Sequence, residues 1–282
     1  MATSTAPQGA SSAAAAAPSA DRPTPEPEPS AASARPAPPP PAAITLLLVR
    51  HGMTDATGPR LAGRAPGLHL NDTGRDQAAD AAHRLSGLRP AALVSSPLER
   101  CQETAQAIAR HLDTAVTTDE RFIECDYGSW TGRSLTELAE EPLWRVVQDH
   151  PSAARFPGGE SLAASSARAV AAVRDWNTRL LQEHGAAGED APPPVYAVCS
   201  HGDIIKAIVA DALGMHLDVF QRLRVDPGSV TSITYTRTRP FLNVLNDTGE
   251  SLVGGLPTRT EARGDAAVGG GAGGGGADAE TP

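Results

Sequence analysis

Three stretches of the chain end in residues able to do chemistry: LLLVRHG, ALVSSPLER and VYAVCSHG. They deliver Arg50 and His51, Arg100, and His201, with Gly52 and Gly202 directly after the histidines. Two guanidiniums and two imidazoles around one point suit a phosphoryl group. Arginine brings a permanent charge and a planar fork of donors matched to phosphate oxygens. A neutral imidazole can attack phosphorus, and its ordinary pKa of about 6.5 is easily held down by neighbouring cations. Glycine after each histidine lets backbone approach a ligand closely. His69, His83, His111, His150, His184 and His216 sit in no such pairing and read as ordinary surface or core residues. No carboxylate or thiolate lies at ligand spacing beside His51 or His201, so no metal is expected.

Each of these clusters needs an element to position it. Ile44 to Val49 is a continuous apolar run of strand length, as in a strand covered on both faces. Ala91 to Ser95 and Val195 to Cys199 read as two more strands, and Thr73 to Leu88 as an Ala-rich helix. Ser96-Pro97-Leu98-Glu99 has the pattern of a capping box opening a helix, with Leu98, Cys101, Ala105 and Ile108 on one face. A long helix is predicted from about Ser161 to Glu183, and another from Asp203 to Leu213, stopped by Gly214. Thr231 to Tyr235 and Phe241 to Leu245 read as two strands of a hairpin. Strands alternating with helices predict a three-layer α/β/α sandwich with a largely parallel central sheet. In such sheets ligands collect beyond the carboxyl ends of the strands, where all three polar clusters would meet. The predicted helix starts at Pro97 and Asp203 would add free N–H groups there.

The chain has 282 residues and a formal net charge of -9. Residues 1–43 are almost entirely Ala, Pro, Ser and Thr, and residues 248–282 drift into a glycine-rich run; both are expected to be disordered tails around one domain at 44–247. The run Ala13 to Ala17 lacks the basic flank and Leu/Val character of a secretory signal, and no uncharged stretch is long enough to span a bilayer. Cys101, Cys125 and Cys199 have no paired spacing and read as free thiols of a cytoplasmic protein. An acidic chain whose only lysine is Lys206 does not carry the footprint of nucleic-acid binding.

LLLVRHGMT, LNDTGRDQA, SSPLERCQETA, ECDYGSWTG, FPGGESL and VCSHGDIIKAI occur in that order. Together they resemble the histidine phosphatase superfamily, in its phosphoglycerate mutase-like branch, over Ile44 to Leu245. HGDIIKAIVADALGMHLDVFQRLRVDPGSVTSITY also resembles a subgroup labelled phosphomutases by inference alone. The resemblance implies that His51 is the phosphorylated histidine. It makes Arg50 and Arg100 the clamp on the phosphoryl oxygens, and His201 the second histidine that stabilises the transition state. It assigns Glu124 as proton donor to the leaving alcohol, a role the residues alone do not single out, since Asp126 competes two positions later. Thr57 stands where the family often has a phosphate-binding asparagine; its hydroxyl could donate one bond, and a turn residue before Gly58-Pro59 is an equal reading. Gly202 is taken as a phosphate contact on the residue reading alone, because a glycine there lets backbone approach the ligand. No cofactor is implied.

Hydrolysis and mutase action share the phosphohistidine and differ in what reaches it next. The segment between Glu124 and FPGGESL is shorter than in true phosphoglycerate mutases, and Arg133, Arg145 and Arg155 are scattered in it. That favours a phosphomonoester hydrolase acting on a small-molecule phosphate over a phosphomutase. A phospho-ligand-binding module without catalysis is the third reading, disfavoured because all four core residues and a candidate acid are present. Specificity would come from the cap, roughly Trp130 to Phe156, and from the loop GPRLAGRAPGLHL, where Arg60 and Arg64 could meet an anionic substrate or simply be solvated. Trp130 and Trp144 are expected in core packing, and Cys199 is a candidate for oxidation. A homodimer is common in the family, and nothing in the sequence decides it.

Overall fold

The computed structural model describes residues 43–185 and 192–250. The tails expected at 1–43 and 248–282 lie outside the described residues except at their inner ends. Four strands, β1 (Ala43–Arg50), β2 (Ala92–Ser95), β3 (Val116–Thr118) and β4 (Val195–Ser200), are followed by β5 (Val230–Thr236) and β6 (Pro240–Asp247). They form one six-stranded sheet in the order β3-β2-β4-β1-β5-β6. The β3/β2, β2/β4 and β4/β1 pairs are parallel, and β5 runs antiparallel to both β1 and β6. This is a mixed α/β fold with a mostly parallel sheet, closed at one side by the expected hairpin.

Alternation along β1 explains why its whole run is apolar. Ile44, Leu46 and Leu48 pack into one core with Ala169, Val173 and Trp176 of α5 (Leu162–Gly185) and Ile205, Ile208 and Val209 of α6 (Gly202–Leu213). Leu47 and Val49 enter a second core on the opposite face. There they meet Ala81 and Ala82 of a helix at Asp72–Arg84 and Ala105 and Ile108 of one at Glu99–Leu112, α1 and α2 in chain order. Each fully buried aliphatic side chain contributes roughly 1.5–3 kcal/mol, so covering both faces is what holds the sheet. The parallel register brings Arg50 opposite Ser200 and Ser95 opposite Cys199, so the tips of β1, β2 and β4 share one edge.

Two local expectations are corrected. The helix expected at Thr73–Leu88 ends at Arg84, the chain leaving it through Leu85. The capping box at Ser96 does not form: α2 begins at Glu99, its N-cap is Leu98, and no side chain caps it. Ser96 and Glu99 are taken by other partners, Ser96 Oγ by His201 and Glu99 Oε1 by the Gly67 N–H at 3.0 Å. A true capping box occurs instead at Ser134 and Glu137, opening the short α3 (Leu135–Ala139) ahead of α4 (Pro142–Asp149). These two helices form the cap. Trp130 and Phe156 are buried beneath them with ring centroids 5.4 Å apart, and Trp144 lies 6.2 Å from Trp130, as core packing requires.

Candidate active site

His51 leaves the tip of β1 with its backbone N–H bonded to the Ser200 carbonyl of β4 at 3.0 Å. Its Nδ1 lies 2.7 Å from the Gly52 carbonyl. A carbonyl only accepts, so Nδ1 carries the proton and Nε2 keeps its lone pair. The Arg100 Nε–H donates to that Nε2 at 3.2 Å. Burial, Arg100 and Arg50, in that order, hold the imidazole pKa well below 6.5 against the Gly52 carbonyl, so the ring is neutral across the physiological range. Gly52 is required by packing: a Cβ there would stand 2.2 Å from the Gly74 carbonyl oxygen, and one on Gly74 would stand 2.0 Å from the Met53 oxygen. This contact, with Asn71 capping α1 through the Gly74 N–H at 2.9 Å, is what LNDTG encodes.

Arg100 is the hub. Besides His51, its Nη2 donates to the Gly63 carbonyl at 2.8 Å and to His201 Nδ1 at 3.2 Å. Because a guanidinium only donates, His201 accepts at Nδ1 and carries its proton on Nε2, which donates to Ser96 Oγ at 2.7 Å. The two rings face edge-on with centroids 5.2 Å apart. Burial and the cations Arg100 and Arg50 also depress the His201 pKa well below 6.5. Arg50 is fixed by its Nη1 bond to the Val225 carbonyl at 2.7 Å. Thr104 ties α2 to the strand tip, accepting from Gly52 N–H at 3.2 Å and donating to the Arg100 carbonyl at 2.8 Å.

Glu124 is 3% exposed and lines the same cleft as Arg50, His51 and Arg100. Its Oε1 accepts from the Cys125 N–H at 2.9 Å. Burial first, and the Asp203 charge second, push its pKa up to about 7 against the pull of that N–H, Arg100 and Arg50. Its competitor Asp126 points elsewhere, accepting from the Gly128 N–H at 2.9 Å and facing Arg64 at 3.8 Å. The ECDYG segment is pinned from FPGGESL: Glu160 N–H bonds the Asp126 carbonyl at 2.8 Å, and Glu160 also pairs with Arg64 and Arg168. A Cβ on Gly128 or Gly159 would collide with the opposing backbone, at 2.1 and 2.2 Å from a carbonyl oxygen respectively.

The cleft therefore gathers Arg50, His51, Arg100 and Glu124, together with Thr57, Gly58, Arg60, Ala62, Gly63 and Leu135. His201 stands behind Arg100, fully buried, and Gly202 is the buried first residue of α6. Thr57 Oγ1 is engaged locally, accepting from the Thr54 N–H at 3.0 Å. Arg64 is consumed by Glu160 and by the Glu124 carbonyl, to which its Nε donates at 2.8 Å. Burial pushes the Cys199 thiol well up, leaving it protonated in the second core rather than at the cleft. Sequence reasoning missed Ser96 and the buried Tyr127–Asp203 pair, whose hydroxyl-to-carboxylate bond is 2.7 Å. The signal for Ser96 was masked by the capping pattern, and 76 residues separate the other two. Among the described residues no three His, Cys, Asp or Glu side chains converge as a metal site.

The sequence profile of the histidine phosphatase superfamily (branch 1) matches residues 46–248. A glucosyl-3-phosphoglycerate phosphatase of Mycolicibacterium vanbaalenii is 34% identical over 175 residues, 61% of this chain and 76% of that protein. Phosphoserine phosphatase 1 of Hydrogenobacter thermophilus is 30% identical over 216 residues, 73% of this chain and 93% of that protein. The native structure of a mycobacterial glucosyl-3-phosphoglycerate phosphatase superposes with a TM-score of 0.65 at 28% identity, over 72% of this chain and 99% of that one.

Proposed function

The chain belongs to branch 1 of the histidine phosphatase superfamily, and from that premise we propose that it hydrolyses small-molecule phosphate monoesters through a phosphohistidine on His51. One observation carries the reading. A single cleft holds an imidazole whose Nε2 lone pair is fixed by the Nδ1–Gly52 bond and a buried carboxyl whose pKa is about 7.

In the first step His51 Nε2 attacks phosphorus and the bond to the alcohol oxygen breaks, while the Glu124 carboxyl passes its proton to that oxygen. In the second, a water oxygen attacks phosphorus, the P–N bond breaks, and the water's proton returns to Glu124, restoring both groups. Arg50 and Arg100 receive the phosphoryl oxygens; preorganised charge of this kind supplies most of the rate in phosphoryl transfer. The clamp and acid are all protein side chains, so turnover is expected to survive EDTA. The three cysteines are free and buried, which supports the cytoplasmic reading; no helix among the described residues is long and apolar enough to cross a membrane.

The test is phosphate release with EDTA present from a panel of esters, including glucosyl-3-phosphoglycerate and phosphoserine, after the names of the relatives. The panel also carries 3-phosphoglycerate with a trace of its bisphosphate. His51→Ala is expected to abolish release, and Glu124→Gln to lower kcat by about 10²- to 10⁴-fold, the usual worth of a general acid. Unchanged turnover in His51→Ala overturns the reading; isomerisation without release makes the enzyme a mutase.

A further inference from the structure

Three arginines line the cleft: Arg50, Arg60 and Arg100. Arg50 and Arg100 stand at its buried floor with His51, and Arg60 is exposed at the rim beside Leu135 of the cap. Its neighbours on either side are neutralised within the protein, Arg64 by Glu160 at 2.8 Å and Arg133 by Glu141 at 2.7 Å. Arg60 has no carboxylate partner among the described residues, although acidic residues outnumber Lys and Arg by 33 to 24 in the chain.

The backbone that carries Arg60 is held rigidly. Leu61 N–H bonds the Arg133 carbonyl at 3.0 Å, Gly132 N–H the Leu61 carbonyl at 2.7 Å, and Leu135 N–H the Pro59 carbonyl at 3.1 Å. The side chain makes one hydrogen bond, from Nη1 to the Gly132 carbonyl at 3.0 Å. That bond orients the guanidinium and leaves its Nε–Nη2 edge without a partner among the described residues. This edge is the one that can meet both oxygens of a carboxylate in parallel bonds. A long, charged side chain fixed at both backbone and head loses little further freedom on binding.

We propose that Arg60 determines specificity in this cleft, and that the preferred substrate is a phosphate monoester whose alcohol portion carries a carboxylate received by Arg60. The proposal rests on the phosphatase reading for the phosphoryl end of the cleft and adds the chemistry of the other end. Arg50 and Arg100 take the phosphoryl group; Arg60, at the rim, takes the charge on the part that leaves. An ester of a neutral alcohol has nothing to offer it.

Binding to the full-length His51→Ala chain, measured by calorimetry, tests this without turnover, so failure here is distinct from failure of the phosphohistidine assay. The two probes are 3-phosphoglycerate and glycerol 3-phosphate, which differ at the carboxylate. A hydrogen-bonded charged pair predicts that 3-phosphoglycerate binds about 10- to 100-fold more tightly. Adding Arg60→Gln should erase that ratio and leave the glycerol 3-phosphate Kd unchanged, and Arg60→Lys should restore part of it. Arg110→Gln, on an exposed turn of α2, should change neither Kd and so excludes a general charge effect. A ratio near one in the parent, binding of neither probe, or a ratio that survives Arg60→Gln overturns the proposal. So does equal weakening of both probes, which would mean that Arg60 only holds the Gly132 loop.

Discussion

At the residue scale, His51 and His201 are neutral imidazoles in opposite tautomers, the first protonated on Nδ1 and the second on Nε2. His201 thus turns a lone pair, not a proton, toward Arg100. A phosphoryl dianion drawn in by Arg100 would meet that lone pair unfavourably, whereas a protonated Nδ1 would donate to it. Occupation of the site should therefore raise the His201 pKa from its depressed value and take up a proton from solvent. Inorganic phosphate titrated calorimetrically into Glu124→Gln at pH 8, in buffers of different ionisation enthalpy, should show net proton uptake, and His201→Gln should abolish it. Zero uptake in the parent would mean that His201 binds phosphate as a neutral acceptor-facing ring, and the idea fails. Arg50, His51, Arg100 and His201 were legible because two strand-end His-Gly turns, with an arginine-bearing helix start between them, have few structural explanations. The tautomers were not, since they depend on a backbone carbonyl and on which nitrogen of His201 the Arg100 guanidinium reaches. Glu124 became legible only through resemblance, because its distinction from Asp126 is burial.

At the element scale, α6 supplies charge as well as packing. Asp203 and Lys206 lie one turn apart on it, both buried, with Nζ 3.9 Å from Oδ1. Asp203 accepts from the Tyr127 hydroxyl, and Lys206 donates to Gln221 Oε1 at 2.9 Å. Around Glu124 stand Asp203 and Lys206 from α6, Arg50 from β1, Arg100 and Cys101 from α2, and Cys125 and Tyr127 from its own segment. Only Asp203 among these adds a negative charge that holds the Glu124 proton on. Asp203→Asn should accordingly move the alkaline limb of kcat/KM to lower pH, and Lys206→Met should move it to higher pH. Both variants disrupt a buried pair and should lose stability, so opposite movement of the limb separates charge from damage; movement in one direction, or none, refutes the link. The elements themselves were largely readable, since continuous apolar runs in the strands and helical spacing in the helices follow directly from which faces are covered. The capping box at Ser96 was misread because serine's two uses, capping a helix and orienting an imidazole, leave the same local sequence. The helix end at Arg84 was misread because an Ala-rich segment carries little information about where packing stops.

At the scale of the whole molecule, the site burdens the fold with three buried titratable groups whose pH dependences oppose one another. His51 and His201 have folded pKa values depressed below the free value of 6.5, so their contribution is intact above it and is lost as pH falls through the folded values. Glu124 has a folded pKa of about 7 against 4.5 when free, so its contribution is intact below 4.5 and is lost as pH rises through 7. Below pH 6.5 the two unfolded-state imidazoles outweigh the one carboxyl, and stability should climb with pH; the climb slows above 6.5 and ends near pH 7, where the Glu124 titration cancels what is left of theirs. Glu124→Gln removes the second effect alone. Its Tm relative to the parent should be higher at pH 8.5 than at pH 5, by several degrees, since about 1 kcal/mol moves a domain of this size by roughly 2–4 °C. An equal Tm difference at both pH values would mean that the carboxyl is not held protonated by burial. The proton that the proposed chemistry needs on Glu124 would then have to come from the substrate rather than from the fold.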